Sequence, residues 1–199
     1  MALPILCALA LGVGTTDLTF VRHSETIANA TGKYNSKTID TFSVKGEELI
    51  TQLTPKLMKE KRWDIILVSP SPRALKTIAP YLKATNQRAV VWPLLYECCT
   101  GKRPKDAHPT KFSYGSEIKV PSMIKPLFQI PKDSYRLPVS PDYNAGLAQV
   151  QATVAEFKKK YLGKRVLVVG HSGHGGQFLK AFTGKSIHVE NAKPIHAKF

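Results

Sequence analysis

Short apolar runs alternate along the chain with longer segments in which apolar residues recur at helical spacing. This alternation indicates buried strands that are covered by the helices connecting them. It predicts a three-layer α/β domain with a mainly parallel central sheet flanked by helices. The length of 199 residues suits one core. The predicted strands are 17–21, 64–68, 89–92 and 165–169, and the predicted helices are 45–60, 72–83, 142–162 and 173–182.

Two segments depart from this alternation. Residues 2–14 are uncharged and almost wholly apolar, which is too short for a bilayer-spanning helix. They resemble the apolar region of a secretory signal without its basic start, so 1–14 is predicted as a signal peptide or an apolar extension. Cleavage would make the protein secreted or periplasmic with no stable membrane insertion, and otherwise we expect it in the cytoplasm. Residues 100–141 are rich in Pro, Lys and Gly without a sustained period, which predicts a lid or insertion.

The charge balance narrows the choice of partners. Lys and Arg number 29 against 14 Asp and Glu, which gives a formal net charge of +15 and a field that attracts anions. The basic residues occur in several scattered groups, and the sequence has neither zinc-finger spacing nor an aromatic–basic RNA-binding motif. We therefore expect a phosphorylated small-molecule substrate and no specific nucleic acid. The oligomeric state stays open.

Reactive or phosphate-binding side chains follow the ends of all four predicted strands. Because ligands of open parallel sheets bind beyond the carboxyl ends of the strands, these side chains are expected to meet at one edge. Arginine can hold phosphate oxygens in a bidentate fork, and a neutral imidazole can attack phosphorus. In chain order the four sites are Arg22-His23, residues 69–73, Glu97 and residues 170–173.

Five short blocks resemble, in order, the motifs of the histidine phosphatase superfamily and its phosphoglycerate mutase-like branch. RHSETIAN, which begins at Arg22, is similar to the signature R-H-G-[EQ]-[ST]-x-x-N. The resemblance runs from residue 17 to about 182 and implies a phosphoglycerate mutase-like fold, with a histidine phosphatase domain at 15–199. It further implies a phosphomonoesterase without a cofactor. The other blocks are FSVKGEE from Phe42, SPSPRALKT from Ser69, LYE from Leu95 and VVGHSG from Val168.

The resemblance also implies a role for each matched residue. His23 matches the nucleophile that becomes phosphorylated, and Glu97 matches the general acid that protonates the leaving oxygen. His171 is the third catalytic residue, beside the phosphoryl group. Such chemistry relies on positioning and on stabilising charge spread over three oxygens, so no metal is required. The implied phosphate-binding residues are Arg22, Asn29, Arg73 and Ser172.

Two departures from the family pattern affect the site. Ser24 replaces the usual glycine after the nucleophile, and its side chain would either narrow the pocket or supply another hydroxyl. Cys98-Cys99-Thr100-Gly101 follows Glu97 in place of the usual continuation, which loosens the assignment of the acid. The absence of the long insert that mutases carry after the first motif favours a phosphatase.

Three other functions were weighed against this prediction. A serine hydrolase would need G-x-S-x-G, but His174 stands at the second glycine, and no Asp follows Ser172. A cofactor-dependent phosphomutase of the same family and a non-catalytic anion-binding module stay open. No metal site is predicted, because His108, His188 and His196 show no paired ligand spacing.

Overall fold

The computed structural model describes residues 14–131 and 136–199. In this part of the chain, a six-stranded sheet has the order β5-β3-β2-β7-β1-β8, and β4 and β6 form a separate antiparallel pair. Within the large sheet only the edge strand β8 runs antiparallel to its neighbour. The strands are β1 (Asp17–Arg22), β2 (Ile65–Val68), β3 (Ala89–Val91), β4 (Ser113–Glu117), β5 (Phe128–Gln129), β6 (Arg136–Val139), β7 (Arg165–Gly170) and β8 (Ile195–Lys198).

Helices cover both faces of the sheet and complete the three layers. Alternate residues of β7 point to opposite faces, so that Val166 and Val168 pack in one hydrophobic cluster while Leu167 and Val169 pack in the other. One cluster includes residues of α2 and α3, and the other includes residues of α4 and α5. This confirms the predicted fold class. The helices are α1 (Ile27–Thr31), α2 (Val44–Met58), α3 (Pro72–Thr85), α4 (Tyr143–Tyr161) and α5 (Ser172–Thr183).

Local sequence signals explain where the long helices begin. Ser43 accepts a hydrogen bond from the backbone N–H of Gly46 at the start of α2, and Asp142 accepts one from Ala145 at the start of α4. Pro72 is the first residue of α3, where its missing N–H costs no helical bond. The hydrophobic period together with these caps therefore accounts for the long helices that the sequence predicted.

The segment 100–141 contains structure that its irregular composition did not predict. Ser113–Glu117 pairs with Arg136–Val139, and Phe128–Gln129 extends the main sheet beside β3. Ile118 and Phe128 are buried in the core cluster beside α3. Strands of two to five residues are too short to show a recognisable period. The segment 100–141, predicted as a lid or insertion, thus contributes to the core as well as to the surface.

The predicted signal peptide or apolar extension, residues 1–14, lies outside the described residues except for Gly14. In residues 14–131 and 136–199, no helix combines the length and the apolar composition needed to cross a membrane.

The edge strand β8 was also absent from the sequence prediction. It pairs with β1 along Asp17–Phe20 and closes the sheet beside the strand that carries Arg22.

Candidate active site

A pocket of about 670 Å³ opens at the carboxyl ends of β1 and β7, as the strand-end argument predicted. Its inner end is formed by buried side chains, and its outer end by residues of the segment between α1 and α2 and by residues that follow Glu97. His171 packs directly behind the lining, beside His23. The predicted residues that line the pocket are Arg22, His23, Asn29, Arg73, Glu97 and Ser172.

His23 is fixed at the end of β1, and one of its ring nitrogens is engaged in a hydrogen bond. Its backbone N–H donates to Gly170 O (2.9 Å), and its carbonyl accepts from Asn191 Nδ2 (2.8 Å). The ring Nδ1 lies 2.7 Å from Ser24 O, which can only accept, so Nδ1 carries the proton and Nε2 keeps its lone pair. Burial, and then the charge of Arg73, lowers the pKa of His23 to about 3. The imidazole is therefore neutral at neutral pH.

Arg73 places its guanidinium between the two histidines. Its Nε donates to His23 Nε2 (3.3 Å), and its Nη2 donates to His171 Nδ1 (3.3 Å). Its Nη1 donates to Asp40 Oδ1 (3.1 Å), and the residue is only 8% exposed. A nearly buried positive charge therefore lies at the point where both imidazole rings converge.

His171 is fully buried, and its ring centroid lies 5.2 Å from that of His23. Because Arg73 donates to Nδ1, the proton of the neutral ring is on Nε2, which donates to Ser69 Oγ (2.7 Å) and lies 3.2 Å from Ser71 Oγ. Burial, followed by the charge of Arg73, holds the pKa of His171 well below its usual value. The hydroxyls thus fix the ring orientation.

Arg22 lines the pocket and contains a buried hydrogen-bond donor without a partner among the described residues. Its Nη1 donates to Val189 O (3.2 Å), while its buried Nε has no partner among the described residues. Burial lowers the pKa of Arg22, with the charge of Glu97 acting in the opposite direction. A buried donor without a partner costs about 1–3 kcal/mol. An anion bound beside Arg22 would remove that cost.

Glu97 packs its carboxyl group against the start of α5. Its Oε1 accepts from the backbone N–H groups of Cys98 (3.1 Å) and His174 (3.0 Å). Burial raises the pKa of Glu97, and these N–H bonds partly oppose the shift. Gly173 permits the approach, because a Cβ there would collide with the carbonyl oxygen of Cys98. A carboxyl group with a raised pKa can carry a proton into the pocket.

Asn29 and Ser24 are engaged in local structure. Asn29 Oδ1 accepts from the backbone N–H of Thr26 (3.2 Å), and its Nδ2 donates to the hydroxyl of Tyr34 (3.4 Å). Ser24 lies outside the pocket lining, because its hydroxyl donates to Gly46 O (2.6 Å). Ser24 therefore neither narrows the pocket nor offers a hydroxyl to it, which corrects the alternatives stated from the sequence.

Asp40 is a site residue that the sequence did not reveal. Its Oδ1 accepts from both the backbone N–H (3.2 Å) and Nη1 of Arg73, which locks the guanidinium to the start of α3. The residue lies in the irregular segment between α1 and α2, where no period or strand end singles it out. The only available signal was general, since a nearly buried arginine requires an acidic partner.

The two adjacent cysteines are free thiols beside the pocket. Cys98 Sγ and Cys99 Sγ are 3.4 Å apart and buried, and Cys99 contributes to the pocket lining. Among the residues that the structure describes, no cluster of three His, Cys, Asp or Glu side chains is arranged to hold a metal ion. The site therefore presents charged donors and neutral imidazoles to a ligand.

Buried neutral histidines make the stability of the fold depend on pH. In the unfolded chain each imidazole binds a proton as the pH falls through about 6.5, whereas in the fold His23 and His174 stay neutral down to about pH 3, and the pKa of His171 is also lowered. The unfolded state thus binds more protons in this window. We therefore expect the free energy of unfolding to decrease as the pH is lowered from 6.5 toward the folded pKa. The decrease is about 1.4 kcal/mol per pH unit for each such histidine.

Denaturant unfolding at pH 7 and pH 5 measures this effect. Glu97 acts in the opposite direction, because its pKa is raised in the fold and the folded state therefore takes up its proton first as the pH falls. His188→Ala is the control, since this exposed side chain should not change the pH dependence. Equal free energies of unfolding at the two pH values would contradict the prediction.

Solved structures of similar fold align with most of the chain. The alpha-ribazole phosphatase from Shigella flexneri aligns with a TM-score of 0.60 at 18% identity, over 90% of this chain and 89% of that chain. The phosphoglycerate mutase from Bacillus anthracis aligns with 0.60 at 18%, over 94% and 89%. A phosphoserine phosphatase mutant from Entamoeba histolytica aligns with 0.55 at 13%, over 91% and 89%. At these identities the likeness establishes a phosphoglycerate mutase-like fold.

The curated protein sequences contain no match to the chain. The sequence model of the histidine phosphatase superfamily (branch 1), in contrast, matches residues 18–196, a range that reaches into every strand of the main sheet and contains the whole pocket lining. The motif blocks and the fold therefore agree, and this chain belongs to branch 1 of the histidine phosphatase superfamily.

Proposed function

We propose that this protein is a phosphomonoesterase that hydrolyses a phosphorylated small molecule through a phosphohistidine on His23. The observation that carries the proposal is the state of the His23 ring. Its Nδ1 carries the proton and donates it in a hydrogen bond to Ser24 O. Its Nε2 lone pair accepts a hydrogen bond from Arg73 Nε within the pocket. A neutral imidazole fixed beside a phosphate-binding cation is the arrangement that nucleophilic attack on phosphorus requires.

In the first step the phosphoryl group passes to the protein. The Nε2 lone pair of His23 forms a bond to phosphorus as the bond between phosphorus and the ester oxygen breaks. Glu97, whose pKa is raised by burial, gives its proton to the leaving alcohol oxygen. Nδ1 keeps its proton throughout, and the hydrogen bond that it donates to Ser24 O stabilises the positive charge that develops on the ring.

In the second step water takes the phosphoryl group. The Glu97 carboxylate accepts a proton from a water molecule, the water oxygen bonds to phosphorus, and the phosphorus–nitrogen bond breaks. The electron pair returns to Nε2 of His23, and inorganic phosphate leaves. Each step consumes what the other produces, so that the protein returns to its starting protonation state.

Arg22, Arg73 and His171 would hold the phosphoryl oxygens during both steps. Arg22 Nε is an unused buried donor, and the Arg73 Nε and Nη2 groups face the two histidines where the oxygens would lie. A bound dianion beside His171 Nδ1 would favour the protonated ring, so this residue would become a third donor. Ser172 and Asn29 line the same pocket and complete the proposed phosphate-binding set.

The structurally similar proteins include phosphatases, which support the proposal, and a mutase, which represents the alternative function. The Shigella flexneri and Entamoeba histolytica relatives are described as phosphatases, and the Bacillus anthracis relative is described as a phosphoglycerate mutase. A mutase would return the phosphoryl group to an organic acceptor, whereas a phosphatase delivers it to water. The destination of the phosphoryl group therefore separates the two functions.

The direct test is phosphate release from an aryl phosphate in EDTA, with the reaction stopped by alkali to preserve phosphohistidine. We expect turnover without added metal and a phosphorylated protein. The phosphoryl group, which serves as the label, should map to His23. Release that requires a metal ion, or label on another residue, would contradict the mechanism. Labelled protein that passes phosphate only to an added alcohol would instead identify a mutase.

Glu97→Gln tests the acid. Because alkoxides are poor leaving groups that need a proton, we expect the variant to lose about 10²–10⁴-fold in kcat on alkyl phosphates. The aryloxide of an aryl phosphate leaves without protonation, so we expect a much smaller loss of kcat with aryl phosphates. Rates with p-nitrophenyl phosphate and an alkyl phosphate measure the difference, and an equal loss on both would remove Glu97 from this role.

We also propose that the segment 100–141 acts as a lid that influences substrate choice. Thr100 and Gly101 line the outer end of the pocket, and the segment then packs along β3. A substitution here would alter the wall that faces the alcohol part of the substrate and leave the phosphoryl-binding residues in place. Selectivity among esters is thus expected to change more than basal hydrolysis.

Export is a separate proposal. Its support is the uncharged apolar composition of residues 2–14, which resembles the core of a secretory signal. Sequencing the N-terminus of protein recovered from its natural host tests it. We expect a new N-terminus near Gly14, and an intact Met1 or Ala2 on folded protein would show that cleavage does not occur.

A further inference from the structure

The pocket is much larger than a phosphoryl group requires. Its volume of about 670 Å³ lies in the range of sites that enclose ligands of drug size. The charged groups proposed to hold phosphate cluster at the inner end, where His23 is 3% exposed and Arg73 is 8% exposed. Most of the remaining space is therefore available to the alcohol part of the ester, and the residues at the outer end determine which alcohol fits.

An aromatic ring stands at the outer end of the pocket. Tyr34 lines it with 65% of its surface exposed, although large aromatic side chains are usually well covered. Its hydroxyl accepts a hydrogen bond from Asn29 Nδ2 (3.4 Å), which holds the ring beside α1. Ile39, from the same segment, adds an apolar side chain to the wall. The ring is thus both available to a ligand and restrained in place.

The described residues of this outer wall carry no charge. Tyr34 and Ile39 form one side, and Thr100 and Gly101 contribute to the other. Within the described lining, the positive groups are two arginines, and both belong to the inner end. A second phosphate or a carboxylate on the substrate would lose water without gaining a cationic partner in this lining, which is costly. The wall therefore suits an alcohol that is neutral and partly apolar.

We propose that the pocket selects phosphate monoesters of neutral, aromatic alcohols, whose ring stacks on Tyr34 and contacts Ile39. This inference rests on the proposed phosphomonoesterase function and adds the class of its substrate. The net charge of +15 draws any phosphate ester toward the protein. The uncharged outer wall then discriminates among those esters by what the alcohol carries. Long-range charge thus governs capture, and short-range packing governs choice.

The test compares three esters of primary alcohols, so that the leaving oxygen is matched: 2-phenylethyl phosphate, glycerol 3-phosphate and 3-phosphoglycerate. We expect kcat/KM to be highest for the phenylethyl ester, by about tenfold or more over 3-phosphoglycerate. Tyr34→Ala should reduce the ratio of kcat/KM for the phenylethyl ester over glycerol 3-phosphate by about tenfold, chiefly through KM. Tyr34→Phe keeps the ring and should keep most of the ratio.

The outcomes separate this inference from the function on which it rests. Hydrolysis of all three esters at similar kcat/KM, or a ratio unchanged in Tyr34→Ala, would overturn the substrate class while the phosphatase stands. Failure of the wild type to hydrolyse any ester, the aryl phosphate included, would overturn the function and the inference together. The wild-type comparison alone decides the matter if Tyr34→Ala should unfold, which thermal melting of the variant would reveal.

Discussion

His23→Ala is expected to abolish phosphate release from every substrate, by about 10⁴-fold or more in kcat, the order expected when a covalent nucleophile is removed. The variant keeps the backbone bonds of residue 23 to Gly170 and Asn191, so that the fold should persist. Removing a buried neutral imidazole also leaves a cavity beside Arg73, into which small nucleophiles can enter. Phosphate release by the wild type and the variant, each confirmed as folded by circular dichroism, measures the effect.

Two controls sharpen that result. His188→Ala removes an exposed histidine outside the pocket lining and should leave turnover unchanged. Added imidazole should restore part of the activity of His23→Ala, because it can occupy the cavity and attack phosphorus in place of the lost ring. Turnover within tenfold of the wild type in His23→Ala without imidazole would reject the phosphohistidine mechanism.

Arg73→Ala is expected to reduce kcat/KM by about 10²–10⁴-fold. Two of its nitrogens donate to the two histidines, at the position proposed for the phosphoryl group. Each charged hydrogen bond contributes about 1.5–3 kcal/mol, and about 1.4 kcal/mol corresponds to a factor of ten. The charge spread over the phosphoryl oxygens in the transition state makes the loss appear in kcat as well as in KM. Steady-state kinetics with an aryl phosphate separate the two parameters.

Arg73→Lys and Arg88→Ala provide the comparison. A lysine restores the charge without the fork that spans both histidines, so the variant should recover only part of the loss. Arg88 lies outside the active-site lining and donates to Phe128 O, and its replacement should leave activity close to that of the wild type. A modest effect of Arg73→Ala, similar to that of Arg88→Ala, would place the phosphoryl group elsewhere.

The sequence predicted the main layers of the fold because their signals are long or strongly buried. Helices such as Val44–Met58 repeat their apolar period several times, and residues 166–169 of β7 are all apolar and fully buried. The strands that were missed are short and partly exposed. Ile195–Lys198 has only four residues, in which apolar and polar side chains alternate, and Ser113–Glu117 is almost wholly exposed. The pairing of both strands therefore depends on neighbours distant in sequence.

The sequence also predicted that the candidate side chains would lie close together, because strand ends converge in a parallel sheet, and six of them line one pocket. It could not show how each side chain is held. Asp40 reaches Arg73 from an irregular segment, and the hydroxyl of Ser24 turns to Gly46, away from the pocket. Both outcomes depend on how loops pack against α2 and α3. Residue identity at a motif predicts chemistry, whereas tertiary packing decides orientation and protonation.

The backbone of the proposed nucleophile is held from two directions, by β7 through Gly170 O and by Asn191, while Ala192 N–H also donates to Arg22 O. Opening the His23 amide to solvent therefore requires the central sheet itself to come apart. Its hydrogen exchange should occur only through global unfolding, whereas amides around exposed Tyr34 should exchange through shallow local openings. On gradual warming, discrimination among substrates would fade first, and the capacity to cleave a phosphate ester would persist until the whole fold melts.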